Sequence, residues 1–229
     1  MKKVLFTEAA KCAPETGHLR AISDAGFKAA ELYLSKAIMS RASEAARLCR
    51  RFPLRYALHA PNDAHCPERL RELAEGLGAR IVVLHDIFWE DEWRQTIEVF
   101  KGSRIKLCVE NMTCSHDPLK FMRRYGLGRC LDLEHLQLEC QGVYEAEFLR
   151  IMRQASHIHL TGYTAGSARW HTPVDYSPAA SARMLDLLAE SGYDGLVVSE
   201  AATEYQTPAM FAATAEFFRQ WRKSRGRQP

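Results

Sequence analysis

Residues 105–132, IKLCVENMTCSHDPLKFMRRYGLGRCLD, contain one complete strand–helix–strand unit. The short, mainly apolar run Ile105–Glu110 is typical of a strand that is buried in a parallel sheet. Pro118 opens a helical pattern that extends to Tyr125, because proline is favoured in the first turn of a helix. Gly126 then stands where a helix commonly ends, and a second apolar run follows it. The stretch therefore predicts two parallel strands that are joined by a helix.

The same alternation of short apolar runs and longer helical patterns extends along the chain, with eight of each. This order is typical of a TIM barrel, a single (β/α)8 domain of the α/β class, over residues 1–229. A doubly wound open sheet is the alternative, but no Gly-x-Gly-x-x-Gly follows the first strand. The predicted strands are Val4–Phe6, Ala29–Leu34, Leu54–His59, Ala79–His85, Ile105–Glu110, Gly128–Asp132, His157–Leu160 and Gly195–Glu200. The predicted helices are Glu15–Ala25, Ala42–Phe52, Pro67–Leu77, Asp91–Phe100, Pro118–Tyr125, Tyr144–Ala155, Pro178–Ser191 and Pro208–Trp221.

The composition is that of an average globular domain, with 47% apolar residues, 26% charged residues and a formal net charge of +3. These values exclude disorder, and no run reaches the roughly 18–20 apolar residues that a membrane span needs. The seven cysteines form no Cys-x-x-Cys pair, which favours a reducing compartment, so we expect a cytoplasmic protein. No basic stripe is present, and we therefore expect a small-molecule substrate rather than nucleic acid or a membrane as the partner.

Side chains that can bind a metal stand at the ends of the predicted strands. In a barrel these ends meet at one mouth, where active sites are built. Glu110, Asp132 and Glu200 end mainly apolar strands, and three buried carboxylates repel one another unless a cation lies among them. Oxygen and imidazole ligands without a cysteine motif fit Mn, Mg, Co, Fe or Zn, and do not choose among these divalent metals. The nearby histidines are His59, His85, His135, His157 and His159.

Six short motifs occupy the strand ends, namely Leu58-His59-Ala60-Pro61, Val83-Leu84-His85, Val109-Glu110-Asn111, Leu131-Asp132-Leu133-Glu134-His135, His157-Ile158-His159-Leu160 and Val198-Ser199-Glu200. In this order the motifs resemble those of the xylose isomerase-like TIM-barrel superfamily, from the first strand to the eighth. That superfamily holds sugar isomerases and epimerases, inosose dehydratase-type enzymes and endonuclease IV.

The resemblance implies a metal site formed by Glu110, Asp132, His159 and Glu200. It implies a divalent-metal-dependent isomerase or epimerase that acts on a small sugar or polyol derivative through an enediolate. The metal would polarise a carbonyl and the neighbouring hydroxyl, while Glu110 and Glu200 act as base and acid. A non-catalytic binding barrel is disfavoured because the carboxylate set is complete.

The alternative is a metal-dependent hydrolase or phosphodiesterase of the endonuclease IV type, acting on abasic-site DNA or a small-molecule ester. That branch has further histidines, which match four residues here that would bind a second metal or substrate. They are His59, His85, His135 and His171. They also suit an isomerase, so they do not separate the two functions.

Other residues near the mouth are predicted to contact substrate. The Asp-x-His motif of the endonuclease branch corresponds here to Arg169-Trp170-His171, so an arginine replaces the acidic ligand. An arginine repels a further cation and suits an oxyanion, which favours substrate binding by Arg169. Asn111 and Thr113 follow a predicted ligand, and Trp89 offers a face on which a sugar could stack. The sequence leaves open the substrate, the metal, the number of metals and whether the chain forms a homo-oligomer.

Overall fold

The computed structural model describes residues 4–111, 118–140 and 144–226. In these ranges eight parallel strands pair in chain order, and the eighth closes onto the first. The predicted (β/α)8 barrel is confirmed, and the open sheet is excluded by this closure. The strands are β1 Thr7–Cys12, β2 Ala29–Tyr33, β3 Arg55–His59, β4 Ile81–Leu84, β5 Lys106–Glu110, β6 Gly128–Asp132, β7 His157–Leu160 and β8 Leu196–Ser199.

Each predicted helix is present; three have the predicted bounds, and the others differ from the prediction by one to five residues at an end. None of the helices in the described ranges is long and apolar enough to cross a membrane. Gly26 and Gly192 end their helices in the left-handed conformation, with φ of 96° and 79°. The helices are α1 Thr16–Ala25, α2 Lys36–Met39, α3 Ala42–Cys49, α4 Pro67–Leu77, α5 Glu90–Phe100, α6 Pro118–Tyr125, α7 Leu133–Cys140, α8 Glu145–Met152, α9 Pro178–Ser191 and α10 Pro208–Gly226.

The prediction of the first strand at Val4–Phe6 is wrong, because β1 is the next segment, Thr7–Cys12. The apolar run packs outside the barrel instead, where the Phe6 ring stacks on Trp221 at 5.6 Å between centroids. The strand itself carries two charged residues, which a search for apolar runs passes over. Both charges are paired in the fold, Glu8 with Arg222 and Lys11 with Glu200.

Helix α7 is not among the predicted helices, and it begins directly after β6 ends. Its sequence, Leu-Glu-His-Leu-Gln-Leu-Glu-Cys, lacks a clear apolar stripe, because its first five residues, Leu133 to Gln137, are all buried. A helix that is buried on several sides loses the periodicity by which helices are recognised. Helix α2, also absent from the prediction, spans only four residues.

Small side chains fill the barrel and leave its mouth for polar residues. Ala9, Ala29 and Val198 form one buried cluster inside the ring, and Val83, Cys108 and Cys130 form another. Large side chains pack instead between strands and helices, where Trp93, Phe148 and Phe211 are fully buried. Because side chains alternate along a strand, the residue two positions after each interior residue faces the mouth.

Candidate metal centre

Four inward-facing residues at the carboxyl ends of β5 to β8 form the centre of the mouth. They are buried and offer ligand atoms that all lie within 4.8 Å of one another. Asp132 and His159 are register partners on β6 and β7, and the Glu200 amide donates to the Leu160 carbonyl at 3.1 Å. The parallel register therefore brings the strand ends to one level. The four residues are Glu110, Asp132, His159 and Glu200, the set that the sequence analysis assigned to the metal.

Three of the ligand atoms have no hydrogen-bond partner outside this cluster among the described residues, although all are buried. They are Asp132 Oδ2, His159 Nδ1 and Glu200 Oε2. His159 Nδ1 lies 2.5 Å from Glu200 Oε2 and 3.4 Å from Glu110 Oε2. Buried polar atoms rarely stay unpartnered, so their convergence fits a bound cation. The donor set of carboxylate oxygens and one imidazole nitrogen suits a divalent metal.

A buried carboxylate behind the centre fixes the orientation of the His159 imidazole. Glu31 Oε1 lies 3.0 Å from His159 Nε2, and Glu31 Oε2 lies 2.6 Å from His157 Nε2. Burial would raise the pKa of Glu31, but His159 and His157 hold it well below its usual range, so Glu31 is ionised. In a metal-bound form the His159 Nε2–H group would donate to Glu31, and the Nδ1 lone pair would bind the metal. Glu31 and His157 thus lie behind His159, where they can hold its imidazole in position.

The carboxylates of the centre differ in their electrostatic surroundings. Burial raises the pKa of Asp132 well above its usual range, and the nearby Glu200 and Glu110 carboxylates raise it further. Burial acts in the same direction on Glu110, but His159, His59 and His85 hold the pKa of that carboxyl well below its usual range. A bound divalent cation would relieve the repulsion that Asp132 experiences.

Two more histidines lie on the side of Glu110 that faces β3 and β4. His59 Nε2 and His85 Nε2 each lie 3.2 Å from Glu110 Oε2. The other nitrogen of His59, Nδ1, lies 3.1 Å from the Ala60 carbonyl, to which it can donate. Burial and the nearby Lys11 lower the pKa of His59, which favours the neutral, metal-binding form. His59, His85 and Glu110 therefore form a second group that could hold a metal.

A third group combines Asp132, His135 and His171, again with ligand atoms within 4.8 Å. His135 Nδ1 lies 2.8 Å from the Asn111 carbonyl, which leaves the Nε2 atom of this ring for a ligand. His171 has a left-handed backbone with φ of 49°, and its amide donates to Glu134 Oε2 at 2.9 Å. The loop that carries His171 passes so close to Gly162 that a Cβ atom there would lie 2.0 Å from the Pro173 carbonyl oxygen.

The residues predicted to contact substrate do not all lie on the surface of the mouth. Arg169 and Trp89 are exposed on loops that follow strand ends, with 79% of Trp89 accessible. The Asn111 side chain instead binds the backbone of Asp132, accepting from its amide at 2.7 Å and donating to its carbonyl at 3.1 Å. Asn111 therefore holds the end of β6 in place, and its contact with substrate stays a prediction. Thr113 lies outside the described residues.

Lys11 is a residue of the mouth that the sequence analysis missed. It lies on β1 beside Glu31 of β2, and its ammonium group contacts Glu200 Oε1. Burial would lower the pKa of Lys11, but the Glu200, Glu31 and Glu110 carboxylates raise it above its usual range, so the side chain is charged. If β1 is placed at Thr7–Cys12, the alternation of side chains along the strand puts Lys11 in the mouth, but the apolar pattern did not reveal this strand.

The fold and the mouth define a closed (β/α)8 barrel whose strand ends carry a cluster of potential metal ligands. A family model described as xylose isomerase-like TIM barrel matches residues 19–221. The chain therefore belongs to the xylose isomerase-like TIM-barrel family.

Several solved structures share this fold at low sequence identity. D-allulose 3-epimerase from Methylomonas sp. has a TM-score of 0.65 and 13% identity, over 96% of this chain and 99% of that chain. The TTHB071 protein from Thermus thermophilus, soaked with ZnCl2, has a TM-score of 0.65 and 16% identity, over 94% and 99%. An L-ribulose 3-epimerase has a TM-score of 0.60 and 16% identity, over 98% and 100%. A search of curated proteins found no match.

Proposed function

We propose that this protein is a divalent-metal-dependent isomerase or epimerase that acts on a small sugar or polyol derivative. The observation that carries the proposal is the convergence at the barrel mouth of three buried ligand atoms that have no partner outside the cluster among the described residues. They belong to Asp132, His159 and Glu200. Structures of similar fold include D-allulose and L-ribulose 3-epimerases, and one of them was determined with D-allulose. These likenesses support a sugar as the class of substrate, while the proton transfer follows from the residues of the mouth.

Glu110, Asp132, His159 and Glu200 would hold the metal, which when bound supplies Lewis acidity toward a carbonyl oxygen and a neighbouring hydroxyl. The imidazoles of His59 and His85 face Glu110 Oε2. The other oxygen, Glu110 Oε1, has a single ionisable neighbour among the described residues, His135, whose Nδ1 atom lies 3.7 Å away. Glu110 Oε1 is therefore the atom that can exchange a proton with substrate. On the other side, Glu200 Oε2 approaches His159 Nδ1, while Glu200 Oε1 contacts the Lys11 ammonium group.

Glu110 and Glu200 come from β5 and from the end of β8, strands that are not neighbours in the ring. A carbon atom held between them meets one carboxylate on each face. Removal of its proton by one glutamate and return of a proton by the other would invert the configuration of that carbon. Proton transfer between two adjacent carbons by the same groups would give an aldose–ketose isomerisation instead.

Deuterium exchange tests this proposal even when the product has not been identified. The protein is loaded in turn with Mn²⁺, Co²⁺, Mg²⁺ or Zn²⁺ and incubated in D2O with a panel of ketohexoses and ketopentoses. We expect loss of one carbon-bound proton signal of a reactive sugar, followed by the appearance of an epimer or isomer. A protein that binds metal tightly but exchanges no proton in any sugar of the panel contradicts the proposal.

Metal-dependent hydrolysis of a phosphodiester or another ester is the second candidate. It is favoured by the second and third ligand groups, which share Glu110 and Asp132 with the first, as in a site for more than one metal. Elemental analysis of the purified protein separates the two functions. One metal per chain favours the isomerase, whereas two or three favour ester hydrolysis.

A further inference from the structure

Lys11 is a buried cation at the mouth that the proton transfer described above does not use. Its side chain is 10% exposed, and its ammonium nitrogen contacts Glu200 Oε1. On the same face of β1, Ala9 belongs to the small apolar cluster inside the barrel. A buried charge is costly unless it is paired or has a use, so the position of Lys11 needs an explanation.

An ion pair with Glu200 accounts for only part of the hydrogen-bonding capacity of Lys11. An ammonium group has three N–H donors, and Glu200 is its one hydrogen-bond acceptor among the described residues. The Tyr33 ring covers one side of the group, with its centroid 5.1 Å from the nitrogen. Tyr33 is itself 38% exposed at the end of β2, so the ammonium group lies directly beneath the open side of the mouth.

The two carboxylate oxygens of Glu200 contact different groups. Oε1 contacts Lys11, while Oε2 lies 2.5 Å from His159 Nδ1 and belongs to the metal-ligand cluster. Lys11 thus lies beside the space in which a substrate would contact Glu200. It is also close enough to Glu31 and Glu110 to be attracted by both carboxylates.

We propose that Lys11 is a substrate-binding residue whose free N–H donors hold the carbonyl oxygen of an α-hydroxy-carbonyl sugar. This inference rests on the proposed function. When a glutamate removes the proton from the carbon beside the carbonyl, the electron pair of that C–H bond forms a carbon–carbon double bond. The carbonyl oxygen then gains negative charge, and a fixed ammonium group next to it stabilises that charge. Return of the proton to carbon restores the neutral carbonyl.

The test compares Lys11→Met, Lys11→Arg and a matched control, Lys106→Met. Lys106 lies at the start of β5, at the opposite end of the barrel, so its removal leaves the mouth unchanged. In metal-loaded Lys11→Met we expect the proton-exchange rate at saturating sugar to fall by about 100- to 1000-fold. Metal content should stay at the wild-type level, because no ligand is removed. Lys11→Arg should regain about tenfold of the lost rate, since it keeps the charge but not the geometry.

Binding of glycolohydroxamate, a small oxyanion that resembles an enediolate, provides a readout that is independent of turnover. We expect calorimetry to show about tenfold weaker binding to metal-loaded Lys11→Met than to the wild type and to Lys106→Met. Unchanged exchange and unchanged hydroxamate binding in Lys11→Met overturn the proposal. Loss of the metal from that variant also overturns it, because Lys11 would then support the metal site only.

The design separates failure of this inference from failure of the proposed function. If the wild type exchanges no sugar proton but its hydroxamate binding depends on Lys11, the proposed function is wrong and Lys11 still binds an oxyanion. If exchange is observed and does not depend on Lys11, the function stands and this inference is wrong. Lys11→Gln replaces Lys11→Met in every arm if the methionine variant does not fold.

Discussion

Replacement of Glu31 by glutamine tests whether the residues behind the mouth prepare it for a metal. Glu31 contacts none of the atoms that we assign to the metal, but its Oε2 atom lies within hydrogen-bond distance of both imidazoles. The distances from this oxygen are 3.2 Å to His159 Nε2 and 2.6 Å to His157 Nε2, and all three side chains are fully buried. Glu31→Gln preserves the shape of the side chain and removes its charge, and His159 is the proposed metal ligand that this change reaches directly.

The size of the effect follows from the tautomer of His159. If the glutamine oxygen takes the place of Glu31 Oε2, His159 keeps its proton on Nε2 and loses only the support of the charge. If the glutamine N–H group faces His159 instead, the proton moves to Nδ1, where a metal must displace it. Loss of such an outer carboxylate weakens metal affinity by about 10- to 100-fold. This range corresponds to about 1.4–2.7 kcal/mol.

Competition with a chromogenic chelator measures the Kd for Mn²⁺ or Zn²⁺ in the wild type and in Glu31→Gln. Glu8→Gln serves as the control, because Glu8 also lies on the strand ladder and pairs with Arg222 at 2.6 Å, away from the mouth. We expect weaker metal binding in Glu31→Gln and the wild-type Kd in Glu8→Gln. The same Kd in Glu31→Gln and in the wild type would refute the assignment of His159 Nδ1 as a ligand oriented by Glu31.

Four further predictions address the metal ligands, the substrate and the thiols. Glu110→Gln and Glu200→Gln should each lower metal content and remove most activity, and a variant with full metal content and full turnover shows that its residue is misassigned. Incubation with abasic duplex DNA and zinc should give no strong incision, whereas incision at catalytic protein levels would favour the endonuclease function. Arg169→Ala should raise KM for an anionic substrate without changing metal content, and Arg169→Asp should gain zinc because it rebuilds the Asp-x-His pair. Burial raises the pKa of Cys49 and of Cys108 to about 12, so neither thiol should react with Ellman's reagent at pH 8 until the protein unfolds, as peptide mapping can check.

The carboxylate ligands of the predicted metal site can be recognised in the sequence because each stands at the end of an apolar strand or directly after it. Glu110, Asp132 and Glu200 are carboxylates at positions where the neighbouring residues are apolar, a combination that is unfavourable in a buried strand without a cation. The position of a strand end in a barrel then places these residues at the same mouth, although they are far apart in the chain.

Lys11 and Asn111 show where local sequence patterns are insufficient. Lys11 stands in a strand with two charged residues, and its burial is possible only because Glu200, almost the whole chain away, supplies its partner. The sequence pattern assigns Asn111 to substrate because it follows a ligand, yet its amide completes the backbone hydrogen bonding of Asp132 on the next strand. The Lys11 contact joins the first strand to the end of the last, and the Asn111 contact joins the end of β5 to the end of β6.

The sequence by itself determined the barrel, because the periodicities of buried strands and amphipathic helices are local and repeat along the chain. It also determined which side chains stand at the strand ends. The tertiary structure decided which atoms meet, such as His159 Nδ1 with Glu200 Oε2 and its Nε2 with Glu31. Closure of β8 onto β1 brings Lys11 to Glu200, and no local pattern encodes a contact that exists only once the ring is closed.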